Sequence, residues 1–494
     1  MNLYFMGIGG VAMGNAALLA RQLGHRVFGT DGPLYPPMST ALADLEITLG
    51  YDATRLSKLI SSQKIDAVII GNNLGRGNAE VEYMWSHRPC EILSLPEFLQ
   101  KFVLRNRLTV AACGTHGKTT TTTLTAYLLE KNNAHPGWLI GGVPHDLPSG
   151  ANAGDKSSPF IIEGDEYDSA FFDKRAKFIS YQPTIAILNN LEPDHLDIYR
   201  DIDDLKRAFN HLQRTVPAHG LIIANADDAN LRSMPPVSWV TTLWVSAEDH
   251  PFAQLHIKNY QESPTGASFD LYFHGQLWQN ISWPLGGLFN ARNAAMASLA
   301  AAATLHLSQS LLSGSQRDAS LWRDFKGSAL KVDLSSFHGV KRRQELRHTS
   351  PSLVVIEDFA HHPTAVALTL TSLRARFPGR RWVACLEPRS NTTRTNAHQS
   401  TFPAAMALAD ISIFGPVHGA DKMPADKRLD TSRLARDIAA LGKVSHFTSS
   451  CNDIPALLES ITADGQPTGI VFFSNGTFEG VMDTYLASLS AVHA

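Results

Sequence analysis

Leu108–Leu129 reads LTVAACGTHGKTTTTTLTAYLL, and the order of residue types in it decides the architecture. An apolar, β-prone run from Leu108 to Ala112 enters the turn Gly114-Thr115-His116-Gly117-Lys118-Thr119-Thr120, and a helix-prone stretch follows. Strand, glycine turn and helix start form a phosphate cradle, because glycines let the backbone approach and successive N–H groups point at the oxygens. Lys118 adds a positive charge for the β- and γ-phosphates, and Thr119 offers a hydroxyl to Mg²⁺. A standard loop of this kind wants a glycine where Ala112 stands, so this is a shorter form. The plain alternative is a strand-to-helix turn with a solvated lysine. The flanking strand and helix argue against it.

With 494 residues the chain is too long for one core, and two to four domains are expected. Hydrophobic residues are 44% and charged residues 18%, which excludes a disordered or fibrous chain. The formal net charge is −3 and no long basic run occurs, so no nucleic-acid partner is expected. Cys90, Cys113, Cys385 and Cys451 are scattered without CxxC spacing, which suits reduced thiols better than a disulfide frame or a zinc site. The start, MNLYFMGIGG, reads as a strand rather than a signal, and no apolar run reaches bilayer-spanning length. A cytoplasmic protein without membrane insertion follows.

Three α/β blocks are expected, at 1–105, 106–334 and 335–494. In the first, strand candidates Leu3–Met6, Val27–Thr30 and Ala67–Ile70 alternate with helical stretches, the rhythm of a Rossmann-like parallel sheet. The second is P-loop ATPase-like, with strands Phe160–Ile162 and Thr184–Leu188, a β-rich later part (239–285) and an Ala-rich helix at Asn293–Leu305. Residues 308–336 show no period and read as a linker or insertion. The third block is again Rossmann-like, with strands Leu353–Ile356, Trp382–Leu386, Ile411–Phe414 and Ile470–Phe473.

Polar clusters fall at the ends of these strands. Gly7-Ile8-Gly9-Gly10 follows the first strand, and Asp31 ends the next, as a ribose-binding acid would. Ala12 stands where a dinucleotide fingerprint has its third glycine, which weakens a dehydrogenase reading but leaves pyrophosphate binding. The segment Gly71–Asn78, with Asn72, Arg76 and Asn78, is similarly placed, as is YPPMST from Tyr35. In the middle block, Glu163-Gly164-Asp165-Glu166 and Asn189-Asn190-Leu191-Glu192-Pro193-Asp194-His195 bring carboxylates to strand ends, where one or two would suffice for Mg²⁺ beside phosphates. The third block has the cationic turn Gly339–Arg343 and three strand-end clusters, Glu357–Thr364, Glu387–Thr392 and Ser474–Thr477.

GTHGKTT, NNLEPDHLD, FNARN, GVKRRQE and DFAHHPT together resemble the Mur ligases, the ATP-dependent amide-forming family of peptidoglycan synthesis, over nearly the whole length. The resemblance implies a UDP-sugar-binding first domain, an ATP-binding second and an acceptor-binding third. It implies that Gly114, Thr115, His116, Gly117, Lys118, Thr119 and Thr120 hold ATP, with Asn290 and Asn293 at the adenine and Arg343 closing over the nucleotide. Phe289 replaces the histidine that leads this asparagine motif in the family. Thr119 and Glu163, with Glu166 assisting, would hold one Mg²⁺, and His195 a second. Asp358 and His362 would act beside Lys118 and His195 in catalysis, one of them taking the amine's proton. Gly7, Gly9, Gly10, Asp31, Asn72, Arg76 and Asn78 would bind UDP-N-acetylmuramate, and Arg389 and Asn391 the acceptor. YPPMST, EYDSAFFDKR (Glu166–Arg175) and EPRSNT (Glu387–Thr392) favour a member that adds a whole L-Ala-γ-D-Glu-meso-diaminopimelate tripeptide over one that adds L-alanine. A monomer or weak homodimer is expected. A non-catalytic nucleotide-binding regulator is the rival of another class.

Overall fold

Strands buried on both faces read as unbroken apolar runs, and three sheets form around such runs in the computed structural model. It describes residues 1–35, 38–194, 198–327 and 330–492. The first sheet has five parallel strands in the order Glu46–Leu49, Arg26–Asp31, Asn2–Met6, Ala67–Ile70 and Glu91–Ser94. Chain direction around the sheet reverses between Asn2–Met6 and Ala67–Ile70. Such a switch point opens a crevice at the strands' carboxyl ends, and Gly7 and Gly71 leave the sheet there.

The second sheet has ten strands, with Thr109–Cys113 between Phe160–Gly164 and Ile185–Leu188. Cys113 pairs in register with both Gly164 and Leu188, so Gly114, Asp165 and Asn189 emerge side by side at one edge. Three antiparallel strands, Leu255–Ser263, Gly266–Phe273 and Gln276–Trp283, extend the far side. The third sheet repeats the device: Asp358 and Leu386 both pair with Phe473, which brings three strand-end clusters together. Its edges are Glu345–Thr349, antiparallel, and Val444–Phe447, which have no counterpart among the strands read from sequence.

Helix Lys118–Lys131 carries five successive threonines, poor helix formers. All five are buried, and the Thr123 and Thr125 hydroxyls donate to the carbonyls of Thr119 (2.7 Å) and Thr121 (2.8 Å). Packed against it runs helix Leu288–Leu312, whose buried alanines allow close approach. This helix is longer than the sequence reading of Asn293–Leu305 and, against the expectation, is long and apolar enough to cross a membrane. Its place in the central hydrophobic cluster makes it a core helix.

The linker reading of 308–336 is corrected. After Leu312 comes a turn and a short 3-10 helix, Ala319–Trp322, and then Trp322, Phe325, Leu330, Val332, Leu334 and Phe337 enter the central core. Phe325 meets the rings of Phe273 (5.7 Å) and Trp322 (5.6 Å). A strap of irregular backbone buries residues at irregular intervals, so no period marks it.

The units lie against one another. The first two share one apolar cluster, and Asn15 Nδ2 donates to Ile140 O at 3.0 Å. The third joins the second through a Pro144–Val340 bridge, through Lys341 N–H donating to Val143 O (3.0 Å), and through Ser372 Oγ donating to Glu262 (2.9 Å). Phe325→Ala should lower stability by about 3 kcal/mol, measured by thermal unfolding. A change below about 0.5 kcal/mol would return the strap to the surface.

Candidate active site

The phosphate loop is held from behind. Gly114 has φ +141°, and a Cβ there would lie 3.0 Å from Asn189 Cβ and Asn190 N. Gly117 has φ +82°, and a Cβ there would lie 2.7 Å from Asn293 Oδ1. Asn190 Oδ1 accepts from His116 N–H at 2.7 Å, and Thr115 exchanges hydrogen bonds with the backbone of Glu192. Beyond Gly117 the helix starts, so the amides of Lys118, Thr119 and Thr120 have no carbonyl one turn back. They line a cavity of about 890 Å³ that reaches from Asn72 in the first unit to Asn391 in the third.

Lys118 Nζ donates to Gly114 O (2.7 Å) and pairs with Glu166 (2.8 Å). Burial alone would lower its pKa, but Glu166 and Asp165 outweigh burial and raise it. Thr119 Oγ1 donates to Glu163 (3.0 Å), whose other oxygen accepts from Gly141 N–H (2.5 Å). Burial, helped by Asp165, pushes the Glu163 carboxyl up to about 7. The hydroxyl and the carboxylate are hard oxygen donors, the set that suits Mg²⁺.

The third unit reaches into the same cavity. Arg343 is buried, lies 4.5 Å over the Phe359 ring and brings Nη2 to 3.5 Å from Thr119 Oγ1. His362 caps helix Pro363–Arg376, accepting from Thr364 N–H, and sits 3.2 Å from Glu192 Oε2. Burial, reinforced by His116, pushes its imidazole down to about 3. His116 contacts Glu192 from the other side at 3.2 Å, so Glu192 joins the two histidines across the unit boundary. Asn290 and Asn293 are both buried at the start of the long helix. Asn290 Nδ2 donates to Gly286 O, and Asn293 abuts Gly117.

Three profiles match the chain in turn. They are "Mur ligase family, catalytic domain" over 2–107, "Mur ligase middle domain" over 113–302 and "Mur ligase, glutamate ligase domain" over 342–475. The chain belongs to the Mur ligase family. Two curated relatives are named UDP-N-acetylmuramate–L-alanyl-γ-D-glutamyl-meso-2,6-diaminoheptandioate ligase. The one from Haemophilus influenzae is 35% identical, covering 99% of this chain and 99% of its own, and the one from Escherichia coli is 36% identical, covering 99% and 98%. A solved murein peptide ligase from Psychrobacter arcticus is 33% identical, covers 99% of this chain and 98% of its own, and superposes with a TM-score of 0.68.

Several site expectations for this Mur ligase meet a different geometry. His195 lies outside the described residues, as do Pro36 and Pro37 of the YPPMST segment. Glu166 is turned onto Lys118, whereas Glu163 is the acid on Thr119. Asp358 accepts Gln344 N–H (2.8 Å) and Ala360 N–H (2.7 Å), one on each oxygen, which makes it a brace for the Arg343 turn rather than a proton acceptor. Asp31 is drawn onto its own turn by Gly9 N–H (2.6 Å), Gly32 N–H and Tyr51 OH, not left open for a ribose. Arg76 points outward to Glu82, and Asn78 caps helix Ala79–His87, so neither joins the cavity. Arg389 pairs with Glu387 (3.2 Å) beside Gly476, whereas Asn391 and Asn72 do line the cavity. Gly141, Phe359 and the Asn189–Asn190 pair were not singled out from sequence. The doublet of asparagines after a strand was the one signal available.

Because Glu163 keeps its proton to about pH 7, divalent cations must displace that proton below neutrality. Mg²⁺ affinity, measured by titration calorimetry, should therefore weaken by up to about tenfold per pH unit below 7 and level off above it. Glu163→Gln should flatten that dependence.

Proposed function

We propose that this Mur ligase joins the carboxylate of UDP-N-acetylmuramate to the α-amine of the tripeptide L-Ala-γ-D-Glu-meso-diaminopimelate, converting ATP to ADP and phosphate. This is a step of cytoplasmic peptidoglycan recycling. The observation that carries the reading is the full-length likeness to relatives of that name, in a chain whose phosphate loop, first-sheet crevice and third-sheet strand ends meet in one cavity. We take 1–105 as the sugar-nucleotide domain, 106–334 as the ATP domain and 335–494 as the acceptor domain, each centred on one sheet.

In this reading the amides of Lys118–Thr120 and the Lys118 ammonium hold the triphosphate, and Asn290 and Asn293 sit at the base. Thr119 and Glu163 would hold a Mg²⁺ ion, which supplies positive charge at the transferring phosphoryl group. His195 keeps its role as ligand of a second ion. The Gly7–Gly10 turn faces the sugar nucleotide's diphosphate, and Arg389 with Asn391 faces the peptide. A carboxylate oxygen of the muramate attacks the γ-phosphorus, the bond to ADP breaks, and an acyl phosphate results. The amine nitrogen of L-alanine then attacks the acyl carbon, and inorganic phosphate leaves. An α-amine has a pKa near 8, so about a tenth of it is already neutral at pH 7. His362, held well below neutrality, is a poor proton acceptor and serves to place Glu192.

Arg343 brings a further positive charge to Thr119 from the third unit, so phosphoryl transfer depends on that unit being seated. L-alanine as acceptor is the reading within the family that must be excluded. Phosphate release by the purified protein should require UDP-N-acetylmuramate and be much faster with the tripeptide than with L-alanine. A preference for L-alanine would replace the assignment. ATP turnover indifferent to every acceptor would favour a nucleotide-binding regulator. Lys118→Ala should reduce ligation at least about a thousandfold with the thermal midpoint little changed.

A further inference from the structure

Lys177 is a buried cation that the reaction described above does not use. It opens the short helix Lys177–Tyr181, directly after the hairpin of strands Asp168–Ala170 and Asp173–Ala176. Its side chain is 7% exposed, yet it lines the central cavity. Its ammonium lies 3.3 Å from Asp165 Oδ2 and 5.5 Å from the centre of the Tyr167 ring. An ammonium has three N–H donors. Among the described residues one of them meets an acceptor, and an aromatic face takes up part of the remaining charge. A nearly buried cation left short of acceptors is unfavourable unless something else supplies them.

The surroundings indicate what does. The helix that Lys177 opens packs against helix Leu95–Leu99 of the first unit. Val11, Ala12, Asn72 and Leu95 form the cavity wall on that side, and the phosphate loop with Lys118 forms the wall beyond. Lys177 therefore stands on the path from the first-sheet crevice to the phosphate position. Asp165 leaves its strand beside Gly114 and holds the ammonium at that point without enclosing it. We propose that Lys177 receives the carboxylate of the sugar-acid substrate and holds it in line with the phosphate loop. This rests on the substrate reading given above. A neutral sugar nucleotide arm would leave the cation as poorly satisfied as before, so Lys177 makes the acid group a condition of tight binding.

The test compares UDP-N-acetylmuramate with UDP-N-acetylglucosamine, which lacks the lactyl acid, by titration calorimetry on the full-length protein. The wild type should bind the acid at least about tenfold more tightly, the scale of one charge-assisted hydrogen bond. Lys177→Met and Lys177→Gln should each bring the two affinities to within about threefold, by weakening the acid alone. Lys177→Arg should restore part of the preference. Equal weakening of both ligands by Lys177→Met and Lys177→Gln would mean a structural role and overturn the proposal. So would a preference that survives both substitutions, or a wild type without preference. A tripeptide KM that rises in these variants while the sugar preference stays intact would place a peptide carboxylate there instead, and also overturn it. Binding of neither sugar nucleotide by the wild type would remove the substrate reading itself, and this inference with it.

Discussion

A loop that grips phosphate has to leave its amides bare and still keep one shape. Those two demands conflict, since a backbone without hydrogen bonds ordinarily moves. Here the rigidity comes from the neighbouring strand end. Asn190 takes the His116 amide, Thr115 is tied in both directions to Glu192, and Gly117 is lodged against Asn189 and Asn293. All but Asn293 lie just after Ile185–Leu188, whose register with Thr109–Cys113 sets Asn189 beside Gly114. Parallel pairing of two apolar strands thus builds the site, because a shift of register would carry the asparagines away from the loop.

The charges follow the same logic. Removing one ion from water costs several kcal/mol, and a buried pair recovers that only in good geometry. Lys118 has Glu166, and Arg343 has the Phe359 face together with the field of Asp358. Glu163 is the acid served least well, with a hydroxyl and one amide for its two oxygens, and burial drives its pKa toward neutrality. A divalent cation beside Thr119 would supply what the carboxylate lacks. The positive groups are therefore in place before any phosphate arrives, so little reorganisation remains to be done during reaction.

Strand ends were legible from sequence because a parallel sheet forces every functional loop to one edge, and glycines and clustered polar residues mark those loops. The task of each polar residue was not legible. Asn78 and Asp31 have the composition of ligand contacts, but each finds its partner within its own turn or helix start. Arg76 is taken by Glu82, six residues on. Caps and ligand-binding residues draw on the same side chains, and the choice between them depends on local geometry that residue type does not encode. The strap through Trp322 and Phe325 was missed for the converse reason: its apolar residues are buried without the regular backbone that would space them.

The turn at Arg342–Gln344 shows how the third unit comes to act on the second. Arg342 and Gln344 both adopt left-handed φ, +63° and +52°, which costs on the order of 1–2 kcal/mol each for a side-chain-bearing residue. The compensation is visible: Arg342 N–H donates to Glu345 (2.7 Å) and Gln344 N–H to Asp358 (2.8 Å). Alternating handedness sends consecutive arginines in different directions. Arg342 turns back onto its own sheet, pairing with Glu357 and donating to Ser474 O, while Arg343 goes forward to Thr119. An extended or helical turn would not give the two arginines separate targets in this way. The contribution of Asp358 is therefore mechanical: by fixing the Gln344 amide it holds the strained turn that aims Arg343, and its influence on the phosphates passes through that guanidinium.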